Sequence, residues 1–211
     1  MANEFLDIYD DQERWIGVQS RDRAHSLGLW HKTFHCWIGG YWQGEPVLVL
    51  QQRSRNKDMH PGLLDVSSAG HLLHGETPED GIREVREELG LALNVSDMIF
   101  VGVSRQSFVA PNIIDHEYCY EYAFWMMQPI LPDVFTLDTT EVAGIFPISL
   151  HILYDLFSHQ DETLHNVQGW KQTPEGLCAT TLPVNVHSFV PRDPTYYLDW
   201  VMWFKQHMPE S

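Results

Sequence analysis

Long apolar runs are missing from this chain. No apolar run of about 18 residues occurs, so the sequence predicts no transmembrane helix. The acidic start has no apolar segment of the kind that secretory signals carry, and we expect no signal peptide. The few cysteines (Cys36, Cys119 and Cys178) are widely spaced and form no CxxC pair. These absences favour reduced thiols and a cytoplasmic location.

Basic residues are also scarce, with 13 Lys and Arg against 29 Asp and Glu and a formal net charge of −16. Nucleic acid polymers and anionic membranes are therefore poor candidates as main partners, because they would be repelled. An anionic small molecule would need local positive charge, which a bound divalent metal could supply. Much of the acid could equally be solvated surface.

The residues present predict a globular chain. Hydrophobic residues make up 44%, and the length suits one domain with room for an appended element. Gly39, Gly40 and Gly44 predict a hairpin between the second and third predicted strands. Mixed strands with few helices imply an α/β or α+β sandwich. Strands are predicted over 14–19, 34–42, 47–52, 63–69, 99–108, 117–127 and 142–148.

The clearest predicted helix covers residues 78–89. Thr77 suits the N-cap, Asp80 lies three residues further on, and Gly90 follows the last turn. Later elements are less marked: a helix over 149–157, a loop-rich stretch over 158–192 with a strand at 184–190, and a helix beginning at Asp193-Pro194. That last helix carries an apolar stripe of Tyr197, Trp200, Val201 and Phe204.

Three glutamates on the first helix carry the main chemical signal. Glu84, Glu87 and Glu88 have i, i+3 and i+4 spacing, which places them on one helix face. Crowded carboxylates repel one another unless cations lie among them, and such hard oxygen ligands suit Mg²⁺ or Mn²⁺. The alternative is an ordinary solvated acidic face.

The residues around these glutamates follow a recognisable order. Gly70 is followed after five residues by Glu76, and residues 83–91 read REVREELGL. This segment resembles the Nudix box, with one departure: six residues instead of seven separate Glu76 from Arg83. The missing residue falls in the loop and first turn, so it affects the expected role of Glu76 more than the metal face.

The resemblance implies an α/β/α sandwich with a mixed sheet. It also implies an enzyme that hydrolyses a nucleoside diphosphate linked to another group, or a related diphosphate. It implies that Glu84, Glu87 and Glu88 hold Mg²⁺ or Mn²⁺ and that Arg83 orients a glutamate by ion pairing. Gly70 would let the backbone turn near the phosphates.

A wider resemblance covers residues 5–150, which are similar to the Nudix subgroup related to type I isopentenyl-diphosphate isomerases. The motifs that carry it include WH at 30–31, FHCW at 34–37, DVSSAGH at 65–71 and DHE at 115–117. In those isomerases three histidines and two acidic residues bind one metal. The chain has 12 histidines, and a single one is often only surface or core. The metal ligands that the resemblance implies for this chain are His25, His31, His71, Asp115 and Glu117.

Ala69 departs from the isomerase pattern, which has a catalytic cysteine at this position. Alanine can neither give nor take a proton, and isomerisation needs a paired acid and base. The sequence therefore favours hydrolysis, with Glu88 and Glu117 ranked above Glu121 for taking a proton from water. The alternatives are an isomerase-like enzyme and a non-catalytic Nudix ligand-binding module.

The remaining expectations concern the basic loop and the chain's division. Arg53, Arg55 and Lys57 could grip phosphate oxygens of a small-molecule diphosphate, or could form a solvated basic loop. We expect a Nudix domain over 1–150 and a C-terminal helical extension over 151–211, which packs on the same domain. The helix of the extension could pack on the core, cover the site or form a homodimer surface.

Overall fold

The computed structural model describes residues 4–110, 113–160, 162–193 and 195–209. The strands are β1 (Phe5–Tyr9), β2 (Trp15–Ser20), β3 (Trp30–Trp42), β4 (Glu45–Arg53), β5 (Leu64–Asp65), β6 (Ser68–His71), β7 (Ile99–Ala110), β8 (Ile113–Met126), β9 (Val142–Ser149), β10 (His165–Thr173) and β11 (Gly176–Val184). The α-helices are α1 (Arg21–Leu27), α2 (Arg83–Leu89), α3 (Leu150–His159) and α4 (Tyr196–Gln206).

Strand β3 organises the sheet. It pairs in parallel with β8 along most of its length, from Trp30 to Gly40. On its other edge, residues 33–36 pair with β6 and residues 38–42 pair with β4, both antiparallel. The sheet is therefore mixed, and three strands, β1, β6 and β4, pair in succession along this edge of β3. Beyond β4 the order continues through β9 and β10 to β11.

Helices cover both faces of the sheet, because side chains of β3 alternate between them. Phe34, Cys36 and Ile38 share a core with Val85 and Leu89 of α2. Trp37 points the other way, into a core with residues of α3 and α4. This arrangement confirms the predicted α/β/α sandwich with a mixed sheet.

The helix predicted over 78–89 is divided in two. A 3-10 turn, Pro78–Ile82, precedes α2, and Thr77 and Asp80 form the capping box that the sequence indicates. Gly90 ends α2 with φ 73° in the left-handed region, which glycine adopts without strain.

The predicted hairpin has a different turn. Gln43 and Gly44 connect β3 to β4, since Trp42 and Glu45 already pair. Gly39 and Gly40 lie inside β3, so their placement in the turn was wrong. A side chain at Gly39 would lie 2.4 Å from the Phe204 ring. This glycine therefore permits α4 to approach the sheet.

Both ends of the chain contain more regular structure than the sequence predicts. The polar stretch before residue 30 forms β1 and α1 around the expected strand β2. The predicted loop over 158–192 contains the hairpin β10–β11, whereas the predicted strand at 184–190 is a 3-10 turn, Val186–Ser188. Mostly polar β10 side chains conceal the strand pattern, and pairing with β9 decides the conformation. Helix α4 begins at Tyr196, and the predicted start at Pro194 lies outside the described residues.

The C-terminal part shares the core and the sheet. Trp170 of β10 pairs with Ile145 of β9. The apolar stripe of α4 is buried, so it does not offer the exposed dimer surface that the sequence left open. The division of the chain near residue 150 stays a prediction. Among the described residues, no helix has the length and hydropathy needed to cross a membrane.

Candidate functional site

Arg83 connects α2 to the loop before it. Its Nε and Nη2 donate to the two carboxylate oxygens of Glu76 at 2.7 and 3.0 Å, and Nη2 also donates to the His71 carbonyl at 2.9 Å. Glu76 in turn accepts from the Leu73 amide at 2.7 Å. Glu76 therefore anchors Arg83 in spite of the shortened loop.

Glu84 lies against the backbone of Gly70 and is paired with Arg83. A Cβ at Gly70 would lie 2.1 Å from the Glu84 carboxyl carbon. Gly70 itself is inside β6, paired with Phe34, so the expected backbone turn at this residue is wrong. Its missing side chain instead makes room for a carboxylate.

Glu88 is buried and points at β6. Its Oε2 accepts from Ser68 Oγ at 2.7 Å, from the Ala69 amide at 3.1 Å and from Gln51 Nε2 at 3.3 Å. Glu87 is different: its side chain is 59% exposed and contacts Arg83 at 3.2 Å. Among the described residues, the acidic and histidine groups whose ligand atoms lie within 4.8 Å of one another do not include this trio. The three glutamates share the helix, but their oxygens are not gathered without a cation.

Burial alters the protonation of two of these glutamates. It raises the pKa of Glu84 to about 7, and neighbouring Glu87 adds to the effect against the opposing Arg83. Burial and the nearby Glu84 raise the pKa of Glu88 to about 8. Both carboxyls therefore hold protons up to near-neutral pH, and bound cations would favour their ionised forms.

A second group of predicted ligands comes together from four separate elements. The rings of His25 in α1, His31 in β3 and His71 in β6 lie 5.1 Å apart, centroid to centroid, for each pair. His25 Nε2 and His71 Nε2 are 3.2 Å apart. Asp115 Oδ1 of β8 lies 3.3 Å from His31 Nε2 and 3.6 Å from His25 Nε2. The structure thus brings together residues as far apart in sequence as His25 and Asp115.

Two buried atoms of this histidine cluster have no hydrogen-bond partner among the described residues. His31 Nδ1 lies 2.9 Å from the Leu29 carbonyl, which only accepts, so Nδ1 carries a hydrogen, and in the neutral ring Nε2 has a free lone pair. Burial disfavours the charged ring, but Asp115 outweighs burial and leaves the pKa of His31 above its usual value. Nε2 lies 3.3 Å from Asp115 Oδ1, and neither buried atom has a hydrogen bond within the described part of the chain. A proton or a cation between them would satisfy both. The donor set of imidazoles and carboxylate fits a divalent metal.

The other two histidines suit metal binding because they are neutral. Burial lowers the pKa of His25 to about 4. Burial also lowers the pKa of His71 well below its usual range, and neighbouring His31 and His25 lower it further. A neutral imidazole offers a lone pair to a metal without first losing a proton.

Glu117 joins the same cluster from β8. Together with His31 and Asp115 it forms a set whose ligand atoms lie within 4.8 Å, and it forms another such set with His35 and Cys119. Burial and the nearby Asp115 raise its pKa to about 7. A carboxyl with that pKa can exchange protons near neutral pH.

The two predicted ligand groups lie on opposite sides of β6. Ser68 and Gly70 face α2, where they contact Glu88 and Glu84. Ala69 packs against the other core and His71 joins the histidine cluster. Alternation along a four-residue strand therefore separates the groups, although they are close in sequence.

Several residues near the site were missed from the sequence. His35 is opposite Ala69 in the β3–β6 register, and its Nδ1 lies 3.0 Å from the hydroxyl of Tyr196 in α4. Buried Asp65 accepts from Arg192 at 2.8 Å and from Arg53 at 2.9 Å. Asp65 belongs to the isomerase-like motif, which could have identified it. Arg192 and Tyr196 lie far along the chain and no spacing pattern connects them to the site.

The basic loop is partly engaged with the protein itself. Arg53 contacts Asp65 and donates from Nε to the Met59 carbonyl at 3.1 Å. Lys57 pairs with Glu141, and its charge lowers the pKa of Glu84 and Glu88. Arg55 is exposed. Lys57 is therefore close enough to influence the glutamates, whereas the charge of Arg53 is offset by Asp65.

Comparisons with known proteins identify the family of the chain. The model of the NUDIX domain family matches residues 38–166. An uncharacterised Nudix hydrolase of Clostridium acetobutylicum is 36% identical over 198 residues, covering 93% of this chain and 95% of that protein. An isopentenyl-diphosphate Delta-isomerase of Klebsiella pneumoniae is 34% identical over 137 residues, covering 63% of this chain and 72% of that enzyme.

A solved structure from Deinococcus radiodurans supports the fold. It has a TM-score of 0.52 at 21% identity, covering 75% of this chain and 91% of that one. The family match and the relatives confirm both resemblances seen in the sequence. The chain belongs to the Nudix hydrolase family and is related within it to the isopentenyl-diphosphate isomerases.

Proposed function

We propose that this enzyme hydrolyses a diphosphate bond in a nucleoside-diphosphate-linked or related small-molecule substrate, with Mg²⁺ or Mn²⁺ as cofactor. The observation that carries the proposal is on β6. The Glu84 carboxyl group packs directly on Gly70, where it could hold a cation, while neighbouring Ala69 offers no group for proton transfer. The glutamates of α2 support hydrolysis, and the alanine at position 69 argues against an isomerase acid–base pair.

Two residue sets would hold divalent cations. The α2 set is Glu84, Glu87 and Glu88, and the histidine set is His25, His31, His71, Asp115 and Glu117. The unpartnered atoms of His31 and Asp115 support the second set. When bound, a divalent cation neutralises phosphate charge and makes water more acidic.

Arg83 acts in this proposal as a positioning residue. Its hydrogen bonds to Glu76 and to the His71 carbonyl fix the guanidinium, and it also pairs with Glu84. The side chain therefore orients Glu84 above Gly70, the role that the family resemblance implies.

Glu88 and Glu117 are the candidates for accepting a proton from the attacking water. A general base is most effective when its pKa is near the working pH, and burial raises both pKa values into that range. Three donors fix the orientation of Glu88. Glu117 is on the opposite side of β6, close to Asp115 and Cys119. Glu121 is hydrogen bonded to Ser104 and remains third.

Phosphate binding falls mainly to Lys57 and Arg55 in this proposal. Lys57 influences the charge of Glu84 and Glu88, and Arg55 has an exposed side chain. Arg53 contributes less because Asp65 already neutralises it. The chain's low content of basic residues favours a small-molecule substrate over a polymer, and its free cysteines suit a cytoplasmic location.

A substrate screen tests the proposal. The protein would be incubated with nucleotide, sugar-nucleotide, dinucleotide and prenyl diphosphates in the presence of Mg²⁺ or Mn²⁺, and the phosphorylated products would be separated and identified by chromatography. We expect hydrolysis of at least one class. Allylic isomer formed from isopentenyl diphosphate would support the isomerase alternative. Ligand binding without turnover, with metal verified as bound, would support the non-catalytic module.

A further inference from the structure

Strand β7 forms an open edge of the sheet. Its twelve residues, Ile99–Ala110, pair with β8 on one side. Within the residues that the structure describes, no strand pairs with its other side. A long unpaired edge presents a row of amide and carbonyl groups to which another strand can add. Strands are commonly five or six residues long, so this edge is unusually extended.

The usual protections of such an edge are largely missing. Native proteins cover open edges or place charges, prolines and bulges on them. Residues 99–110 contain no proline, no lysine and no acidic residue. A register irregularity between Phe100 and Gly102 is present, but Arg105 is the strand's single charge. Its guanidinium lies 4.4 Å from the Trp30 ring centroid and 5.5 Å from that of Tyr118, so aromatic rings of the sheet hold it.

Five side chains of β7 are apolar and exposed. The exposed fractions are 55% for Ile99, 52% for Phe100, 36% for Val101, 42% for Val103 and 68% for Val109. Exposed apolar side chains that are contiguous along one element mark an interaction surface more often than scattered ones do.

The chain's charge distribution indicates which partner fits this surface. Every copy has a net charge of −16, yet residues 98–114 include no aspartate or glutamate. Two copies would repel each other across most of their surfaces. An approach through β7 brings together segments that have no negative charge of their own.

We propose that β7 is a homodimer interface at which the strand pairs antiparallel with β7 of a second copy. An antiparallel edge is complementary to itself about a two-fold axis, because the same donors and acceptors meet in both directions. The pairing extends the sheet from one protomer into the other. Val103 and Val109 become covered, which explains apolar side chains at these exposed positions.

The interface also lies next to the candidate site. Ser104 Oγ of β7 donates to Glu121 at 2.8 Å, and Gln106 is opposite Glu117 in the β7–β8 register. A second copy therefore supports the strand that flanks Glu117. The homodimer proposal does not depend on the reaction, so the proposed hydrolysis and the proposed dimer can be refuted independently.

The test is the mass of the full chain in solution, measured by light scattering and sedimentation over a range of concentrations. We expect a species of twice 24.5 kDa. Val103→Glu and Val109→Glu should shift the mass to that of one chain, because each places two new charges at the interface. Leu164→Glu is the matched control, since Leu164 is 63% exposed outside β7. Circular dichroism verifies that each variant is folded.

Cysteine substitutions locate the contact independently. In a Cys178→Ser background, Val103→Cys, Arg105→Cys and Ser107→Cys are oxidised separately. A two-fold antiparallel pairing should give a disulfide dimer most readily at the position nearest the axis, where the Cα atoms lie within about 7 Å. A wild-type chain that stays monomeric at its highest soluble concentration overturns the proposal. A dimer that is unaffected by the glutamate variants and is not cross-linked along β7 also overturns it.

Discussion

Glu84 occupies the space above Gly70 that any other residue's side chain would fill. A Cβ there would lie 2.1 Å from the Glu84 carboxyl carbon and 2.2 Å from its Oε1. Glu84 is simultaneously paired with Arg83. The glycine in β6 and the first glutamate of α2 therefore fit together as one unit, which explains how a short strand and a short helix produce a defined carboxylate position.

Gly70→Ala should disrupt this unit. The added methyl group forces Glu84 away from β6, and overpacking of this kind costs about 1–3 kcal/mol in the free energy of unfolding. We also expect a large fall in kcat, because the displaced carboxylate can no longer bind its cation in place. Urea denaturation and kinetics measure the two effects. Gly102→Ala is the control, since a Cβ at that strand glycine meets nothing within 4 Å. Unchanged activity in Gly70→Ala would remove Glu84 from the mechanism.

Glu88→Gln should retain the fold and lose turnover. Glutamine preserves the size of the side chain and one oxygen that can accept from Ser68 and the Ala69 amide. It cannot accept a proton from water or offer an anionic ligand, and loss of general base catalysis lowers rates roughly 10²- to 10⁴-fold. Steady-state kinetics with the substrate identified in the screen measures the loss. Glu45→Gln, at an exposed glutamate, should be unaffected. A similar loss in Glu117→Gln alone, with Glu88→Gln active, would assign the base to Glu117.

Divalent metal should stabilise the protein through the histidine cluster. A ligand present at 100 times its Kd adds about 2.7 kcal/mol to the free energy of unfolding. We therefore expect Mn²⁺ or another divalent cation to raise Tm, EDTA to reverse the rise, and His31→Gln to weaken the response. His151→Gln is the control, because the His151 side chain is 80% exposed. Calorimetry provides a readout that does not require activity. An identical Tm response in His31→Gln and wild type would exclude this cluster as the metal site.

Asp65 should make the fold sensitive to acid. Burial raises its pKa, but the guanidiniums of Arg192 and Arg53 outweigh burial and leave the pKa below its usual range. A carboxyl with a lowered folded-state pKa stabilises the fold fully above its unfolded pKa of about 3.9, and the stabilisation is lost as the pH falls below that value. Asp65→Asn should therefore cost roughly 3–5 kcal/mol at neutral pH, since it leaves buried arginines unpaired.

Denaturation at a series of pH values measures the pH-dependent stabilisation by Asp65. The gap in the free energy of unfolding between wild type and Asp65→Asn should narrow as the pH falls below about 4. Asp133→Asn, at an exposed aspartate, should show no gap at any pH. A gap that stays constant from neutral to acidic pH would mean that the ion pairs with Arg192 and Arg53 contribute no pH-dependent stability.

The ends of the helical segment over 78–89 could be predicted from the sequence because helix capping is local. Capping depends only on neighbouring residues: Thr77 and Asp80 cap the 3-10 turn before α2, and Gly90 ends α2. The hairpin β10–β11 was not predictable in this way. Its side chains are largely polar, and its strand conformation depends on pairing with β9, which is distant in sequence.

The candidate site, too, was predictable from the sequence in part. Resemblance to family motifs was enough to predict the three glutamates of α2, Arg83, His31, His71, Asp115 and Glu117 as site residues. The prediction of His25 rests on the same resemblance, although this residue lies outside the quoted motifs. The sequence did not show that Glu88 points toward β6 while Glu87 stays exposed, or that the two ligand groups lie on opposite faces of one strand. The tertiary structure also brought Arg192 and Tyr196 to Asp65 and His35. Burial, register and long-range pairing set those relationships, and they depend on contacts between segments that no local pattern connects.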